Sequence, residues 1–194
     1  MSCFPVTGEK IKFALCNDQG VFFEGEDNGA MESDSFMSSD KADYCFIRNS
    51  KHMFLVVTSE CLHFEKRTTK QWKSDDMRFL LKVFNNTEDH RDMAVALELH
   101  GEGRTRALYC KEESTVAYKE TALADTIPGD SHESIFYLRR IQDNTFTLES
   151  SKYKGSYLFC YQDGPCYKLI LKKMTDEVDE GQHVTIESCS DEDP

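Results

Sequence analysis

Apolar and polar residues alternate along most of this 194-residue chain in short runs with a period of two. In "MAVALELH" (93–100), Met93, Val95, Leu97 and Leu99 share one face while Ala94, Ala96, Glu98 and His100 share the other, which is the pattern of a half-buried β-strand. The same reading gives strands in "YCFIRN" (44–49), "MFLVV" (53–57), "CLHF" (61–64), "MRFLLKVF" (77–84), "TRALYC" (105–110) and "TVAYKE" (115–120). It continues through "SIFYLRR" (134–140), "NTFTLES" (144–150), "SYLFCY" (156–161), "YKLILKK" (167–173) and "HVTIES" (183–188), twelve candidate strands in all. Turn signals such as "NNTEDHRD", "HGEGR", "QDN" and "QDGP" separate them. No helical stripe competes, and "KETALAD" (119–125) is long enough for about one turn only. The pattern predicts an all-β domain whose strand edges are closed or covered.

Ahead of that domain, "IKFALCNDQGVFFEGED" (11–27) sets Ile11, Phe13 and Leu15 on one face, turns near Gly20 and returns through Val21 and Phe23. This is a predicted hairpin, and two strands alone are marginal in water, so the unit is expected to fray or to lay its apolar face on the main domain. Residues 27–41 read as a polar spacer whose Gly, Ser and Asp content favours disorder and accessibility to proteases.

Composition narrows the function classes. A formal charge of −12 and a pI near 4.9 argue against nucleic-acid and anionic-membrane partners, because no basic cluster is present to neutralise phosphates. At 39% hydrophobic residues, the chain can bury one core. The first twenty residues lack the basic start and apolar run of a signal peptide, and no run has the length of a membrane span, so a cytoplasmic start is expected. In that compartment Cys3, Cys16, Cys45, Cys61, Cys110, Cys160, Cys166 and Cys189 read as reduced, mainly apolar residues, and the Asn85 sequon is silent.

Catalytic signatures are absent: there is no G-x-S-x-G, no H-E-x-x-H and no phosphate-cradling glycine loop, so no enzyme and no cofactor are expected. Cys160 and Cys166 could join His183 or Cys189 around a metal, but their spacing is looser than that of usual zinc sites, and core cysteines explain them more simply. The sharper signal is proteolytic. A protease that requires aspartate needs an extended, accessible segment with a small following residue, and Glu32-Ser33-Asp34 followed by Ser35 meets that need. Asp125-Thr126 and Asp40-Lys41 are competitors. Asp176-Glu177-Val178-Asp179 has the form of an executioner-caspase tetrapeptide, although Glu180 follows it; an acidic turn is the simpler reading, with Asp179 as a secondary cleavage site.

"FTLESSKYKGSYLFCYQDGPCYKLILKK" (146–173) resembles the corresponding region of the interleukin-1 family of cytokines. "MESDSF" (31–36) is similar to the end of a family propeptide, and "IRN" (47–49), "RDMAV" (91–95), "YKE" (118–120) and "IFYLRR" (135–140) follow in the family's order. The resemblance implies a β-trefoil of twelve strands preceded by a propeptide, residues 1–34, with residues 35–194 as the mature, monomeric cytokine. It also implies a cytoplasmic precursor, cleavage after Asp34 by an inflammatory caspase, secretion without a signal peptide, a two-chain immunoglobulin-type receptor and a soluble decoy binding protein. By the same resemblance Arg48 belongs to a primary receptor face, Arg91, Met93 and Arg140 to a second, and Lys119 to recruitment of the second receptor chain. Met93 also has a plain reading as a core residue, and the four cations as solubilising groups.

The chain departs from the family at Lys66-Arg67-Thr68, where acidic and methionine residues are usual, and at Gly164-Pro165, where an acidic position is usual. Gly155 replaces the usual proline region. Other classes remain open: another ligand of the same family, a heparin-binding growth-factor trefoil, which the acidic balance disfavours, or an intracellular trefoil scaffold that needs no cut.

Overall fold

The structure, a computed structural model, describes residues 34–58, 61–68, 71, 74–86, 92–101, 103–175 and 179–189, together with the backbone of 10–17 and 20–26. The chain divides into two compact units, Met1–Glu32 and Ser33–Pro194. In the first, β1 (Lys10–Asn17) and β2 (Gly20–Glu26) pair antiparallel with Phe13 opposite Phe23, and the register shifts between Phe13 and Leu15. The predicted hairpin is therefore present, with a bulge that the even alternation did not announce. Its tip, residues 18–19, lies outside the described residues.

Among its described residues the second unit holds thirteen strands: β3 (Ser35–Asn49), β4 (Phe54–Val57), β5 (Leu62–Glu65), β6 (Phe79–Asn86), β7 (Met93–Gly101), β8 (Arg104–Glu112), β9 (Thr115–Glu120), β10 (Thr126–Pro128), β11 (Phe136–Gln142), β12 (Thr145–Ser150), β13 (Ser156–Asp163), β14 (Cys166–Lys173) and β15 (Val184–Ser188). Six of them close a ring, for β3 pairs β6, β6 pairs β7, β7 pairs β11, β11 pairs β12, β12 pairs β15 and β15 returns to β3. The remaining long strands form three hairpins, β4–β5, β8–β9 and β13–β14. Each hairpin lies between two ring strands in the sequence, so the chain repeats one four-strand unit three times: β3–β6, then β7–β9 with β11, then β12–β15. A closed six-stranded barrel carrying three hairpins is a β-trefoil. Closure removes the free edges that a sheet of this size would otherwise expose.

Two expectations need correction. Residues 35–41 are not a disordered spacer: they form the first half of the fifteen-residue β3 and pair with β10 and β6. Their polar letters are compatible with a strand because Phe36 alone anchors the segment, fully buried beside Phe84, Ala94, Ile127 and Ile135. Strand β7 is also not half-buried. Residues 94–99 are buried on both faces, including Glu98 at 2% exposure.

The second face of β7 is covered by the connection that leads from β9 to β10. Ala94 and Ala96 are small enough for this segment to lie close, and Leu123 and Ile127 fill the space above them. The peptide groups of the connection are satisfied by side chains: Leu123 N–H donates to Glu98 Oε1 at 2.7 Å, and Lys82 Nζ donates to the Leu123 carbonyl at 3.3 Å. Lys82 Nζ also lies 3.8 Å from Glu98 Oε1, so the buried carboxylate has a cation and a backbone donor. Glu98→Ala would leave that N–H and that ammonium without their shared partner, and is expected to cost about 3 kcal/mol in chemical denaturation. Glu98→Gln, which keeps an acceptor oxygen, is expected to cost less.

Candidate functional site

The proposed processing point stands at the entry to the trefoil. Asp34 is exposed, and its carbonyl accepts a hydrogen bond from Gly129 N–H at 2.8 Å. Ser35 follows opposite Pro128 in the β3–β10 ladder, then Phe36 opposite Ile127. Gly129 has φ of +98°, a conformation glycine adopts without strain, and this lets its N–H point back at Asp34. The Asp34–Ser35 peptide is thus the first rung of the folded unit rather than part of a loose linker. Glu32 and Ser33 lie outside the described residues. Of the competitors, Asp125 is also exposed and its carbonyl accepts from Ser38 N–H at 2.6 Å, as that of Asp34 does from Gly129, while Asp40 falls inside β3.

Asp179 is held as a cap. Its carboxylate accepts from Gly181 N–H at 3.0 Å at the start of a short 3-10 helix (Glu180–Gln182) and from Lys172 Nζ at 2.8 Å. The Lys172 hydrogen bond, followed by that from Gly181, stabilises the carboxylate and holds its pKa below the usual carboxylate range. The acidic-turn reading describes this geometry, while residues 176–178 lie outside the described residues.

The residues singled out for recognition fall in three places. Arg48, on β3 opposite Thr185 of β15 and Phe54 of β4, packs its guanidinium 4.5 Å from the Phe54 ring centroid and pairs with Glu187 at 2.5 Å. Met93 opens β7 opposite Leu138 of β11, and Arg140 lies two residues beyond Leu138, so the fold brings this pair onto neighbouring strands. Met93 is half-buried; Arg140 is exposed and pairs with Asp143 at 3.0 Å. Arg91 lies outside the described residues. Lys119, on the β8–β9 hairpin, donates to Glu133 at 2.9 Å and stands 5.4 Å from the Tyr109 ring.

Sequence reasoning missed the residues that frame these positions. Between Met93 and Arg140, Arg139 grips Asp92 through three hydrogen bonds of 2.7–3.1 Å, a forked arrangement that fixes both side chains. Only the pairing of β7 with β11 brings them together, so no local signal could have found them. Around Lys119, Glu133 also accepts from Lys152 at 3.4 Å, and the neighbouring His132 accepts Ser134 N–H on Nδ1 at 3.1 Å. Among the described residues no group of three or more His, Cys, Asp or Glu side chains is placed to hold a metal ion, and Cys45, Cys61, Cys110, Cys160, Cys166 and Cys189 carry free thiols. Burial pushes the Cys110 thiol up to about 11, while Cys160 accepts from the Asn49 amide at 3.2 Å.

Residues 68–183 match the family model described as Interleukin-1 / 18. The chain belongs to the interleukin-1/18 family. It is a cytokine of the interleukin-1 family. Interleukin-18 of Homo sapiens is 29% identical over 180 residues, covering 89% of this chain and 91% of that protein. Interleukin-18 of Mus musculus is 27% identical over 172 residues, covering 87% and 88%. Among solved structures, a hydrophobic-cavity mutant of chicken IL-1 superposes with a TM-score of 0.57 at 16% identity over 78% of this chain and 98% of the other. Chicken interleukin 1 beta gives 0.55 at 15% identity over the same shares. These structures share the trefoil fold, while the resemblance in sequence is carried by the interleukin-18 relatives.

His132 and the Lys119–Glu133–Lys152 cluster are expected to make the fold sensitive to acid. His132 is held below its ordinary 6.5, first by burial and then by the Lys119 charge; Glu133 is held below its ordinary 4.5, first by the Lys119 hydrogen bond. In both cases the unfolded chain binds the proton more readily, so stability is greatest above the ordinary value and falls as the pH drops toward the folded one. Stability is therefore expected to decline below about pH 6.5 through His132 and again below about pH 4.5 through Glu133. Denaturation midpoints measured in steps from pH 8 to 4 check this, and His132→Asn is expected to flatten the upper step only.

Proposed function

We propose that this chain is the precursor of a pro-inflammatory cytokine that an inflammatory caspase cuts after Asp34. Residues 1–34 are the propeptide and 35–194 the mature, monomeric cytokine. The mature form engages the interleukin-18 receptor alpha and beta chains to trigger immune signalling and interferon-gamma production, and a soluble interleukin-18-binding protein competes for it. The precursor is cytoplasmic and leaves the cell without a signal peptide after processing. The observation that carries this reading is the likeness to interleukin-18 proteins along most of both chains. The exposed aspartate at the junction of two compact units supports the processing step.

In this reading the protease meets a partly folded substrate. The peptide after Asp34 must leave the Gly129 rung to enter an active site, and the opening need go no further than Ser35, because fully buried Phe36 holds the rest of β3 in place. Such local fraying at a strand end is far less costly than global unfolding. Cleavage then turns the propeptide's tethered presence into an encounter between two molecules, and the effective concentration of the tether is lost. The propeptide carries seven acidic and two basic residues, a charge of −5 that is removed with it on cleavage.

Asp34→Ala is expected to abolish formation of a fragment beginning at Ser35, as read by N-terminal sequencing after caspase treatment. Receptor affinity of intact and treated protein then tests the function, and equal binding or signalling by the uncut chain would remove the case for a silent precursor. Arg140→Ala is expected to weaken receptor binding about tenfold without shifting thermal stability, since its tie to Asp143 is exposed.

A further inference from the structure

Strand β5 and its flanks carry a chain of side chains that the proposed cytokine function does not use. Cys61, His63, Glu65 and Arg67 occupy alternate positions, so the pleat aligns them along one side of the backbone. Their contacts are continuous. Cys61 Sγ lies 3.4 Å from His63 Nδ1, and His63 Nε2 lies 3.2 Å from Glu65 Oε2. Glu65 Oε1 pairs with Arg67 Nε at 2.5 Å, and Arg67 Nη2 donates to Asp76 Oδ2 at 2.7 Å. Two hydrogen bonds with Thr58 hold the backbone at the thiol: Thr58 N–H donates to the Cys61 carbonyl at 3.0 Å and Cys61 N–H donates to Thr58 Oγ1 at 3.3 Å. Cys61 itself is exposed.

This order of groups has a chemical meaning. The Glu65 carboxylate can only accept, so His63 donates from Nε2 and presents the lone pair of Nδ1 to the thiol. A nucleophile within hydrogen-bond reach of a base, with the base oriented by a third group, is the arrangement of an activated nucleophile. The Glu65–Arg67–Asp76 ion pairs hold the orienting group in turn. From the neighbouring strand, Lys168 stands opposite His63 and within electrostatic reach of both Cys61 and Cys166, although its own nearest partner is Asp163.

We propose that Cys61 is a reversible thiol-modification site that takes low-molecular-weight disulfides, of the oxidised-glutathione class, into a mixed disulfide. The Sγ proton passes to His63 Nδ1 as the sulfur attacks one sulfur of the incoming disulfide. One S–S bond forms as the other breaks, and the departing thiolate takes the proton back from the imidazolium. The disulfide is conserved in the exchange, so no further oxidant is required. The inference does not rest on the cytokine reading.

Cys166 is the internal control: it is exposed and shares the Lys168 neighbour, but among the described residues no imidazole stands against it. The experiment incubates the full chain with oxidised glutathione at neutral pH and follows each cysteine by peptide mass spectrometry. Cys61 is expected to form the mixed disulfide about tenfold faster than Cys166. Dithiothreitol is expected to reverse it, and His63→Gln to reduce the Cys61 rate to that of Cys166 while leaving Cys166 unchanged. Equal rates at the two sites in the native chain, or an advantage that survives His63→Gln, would overturn the assignment. A disulfide-linked dimer as the main product at Cys61 would overturn the choice of a small disulfide.

Discussion

The peptide at Leu123, held by Glu98 on its N–H and by Lys82 on its carbonyl, sets the position of everything that packs on the outer face of β7. An irregular segment laid over a buried strand cannot satisfy its own backbone, and polar side chains reaching up from the strands beneath supply what a ladder would otherwise provide. With Leu123 fixed, Ile127 drops into the cluster around Phe36 and Phe84, and the three residues of β10 pair with the start of β3. Gly129 then meets the Asp34 carbonyl. One buried carboxylate is in this way linked, through a short connection, to the place where the proposed cut falls.

The periodicity of the letters carried most of the fold. All twelve strands expected from alternation have counterparts, and the ring of six with three hairpins is what such strands form when no edge stays open. The threefold repeat was not legible, because it resides in pairing partners and each unit fills the same places with different residues. Residues 35–41 were misread since their polar composition outweighs a single anchoring phenylalanine, and β10 was missed because three residues carry no period. Glu98 was misassigned to a solvated face for a related reason: alternation tells which residues share a face, but not what covers it. Arg48, Met93, Lys119 and Arg140 could be located through resemblance alone. The ionic partners of the three cations, Glu187, Glu133 and Asp143, become visible only with the strands in register.

Those partners alter how the surface can act. On an acidic chain Arg48, Lys119 and Arg140 each face a carboxylate of the molecule itself, so a partner engaging them as proposed would exchange one ion pair for another rather than meet a bare cation. Exchange of this kind contributes modestly to affinity and strongly to the choice of partner, because a surface with mismatched charge gains nothing for the pair it breaks. Arg48 is the most constrained of the three, stacked on Phe54 as well as paired, and it presents a fixed rather than a searching guanidinium.

The meeting of β15 with β3 also has a kinetic side. Ile186 lies opposite Ile47, roughly 140 residues away along the chain, and this is the seam that closes the ring. Contacts so remote in sequence form late, after a large loss of chain entropy, and proteins dominated by them fold slowly. During synthesis, every strand from β3 to β14 emerges before the one that seals them, so the β3 edge at residues 45–49 stays without its β15 partner until the last strand arrives.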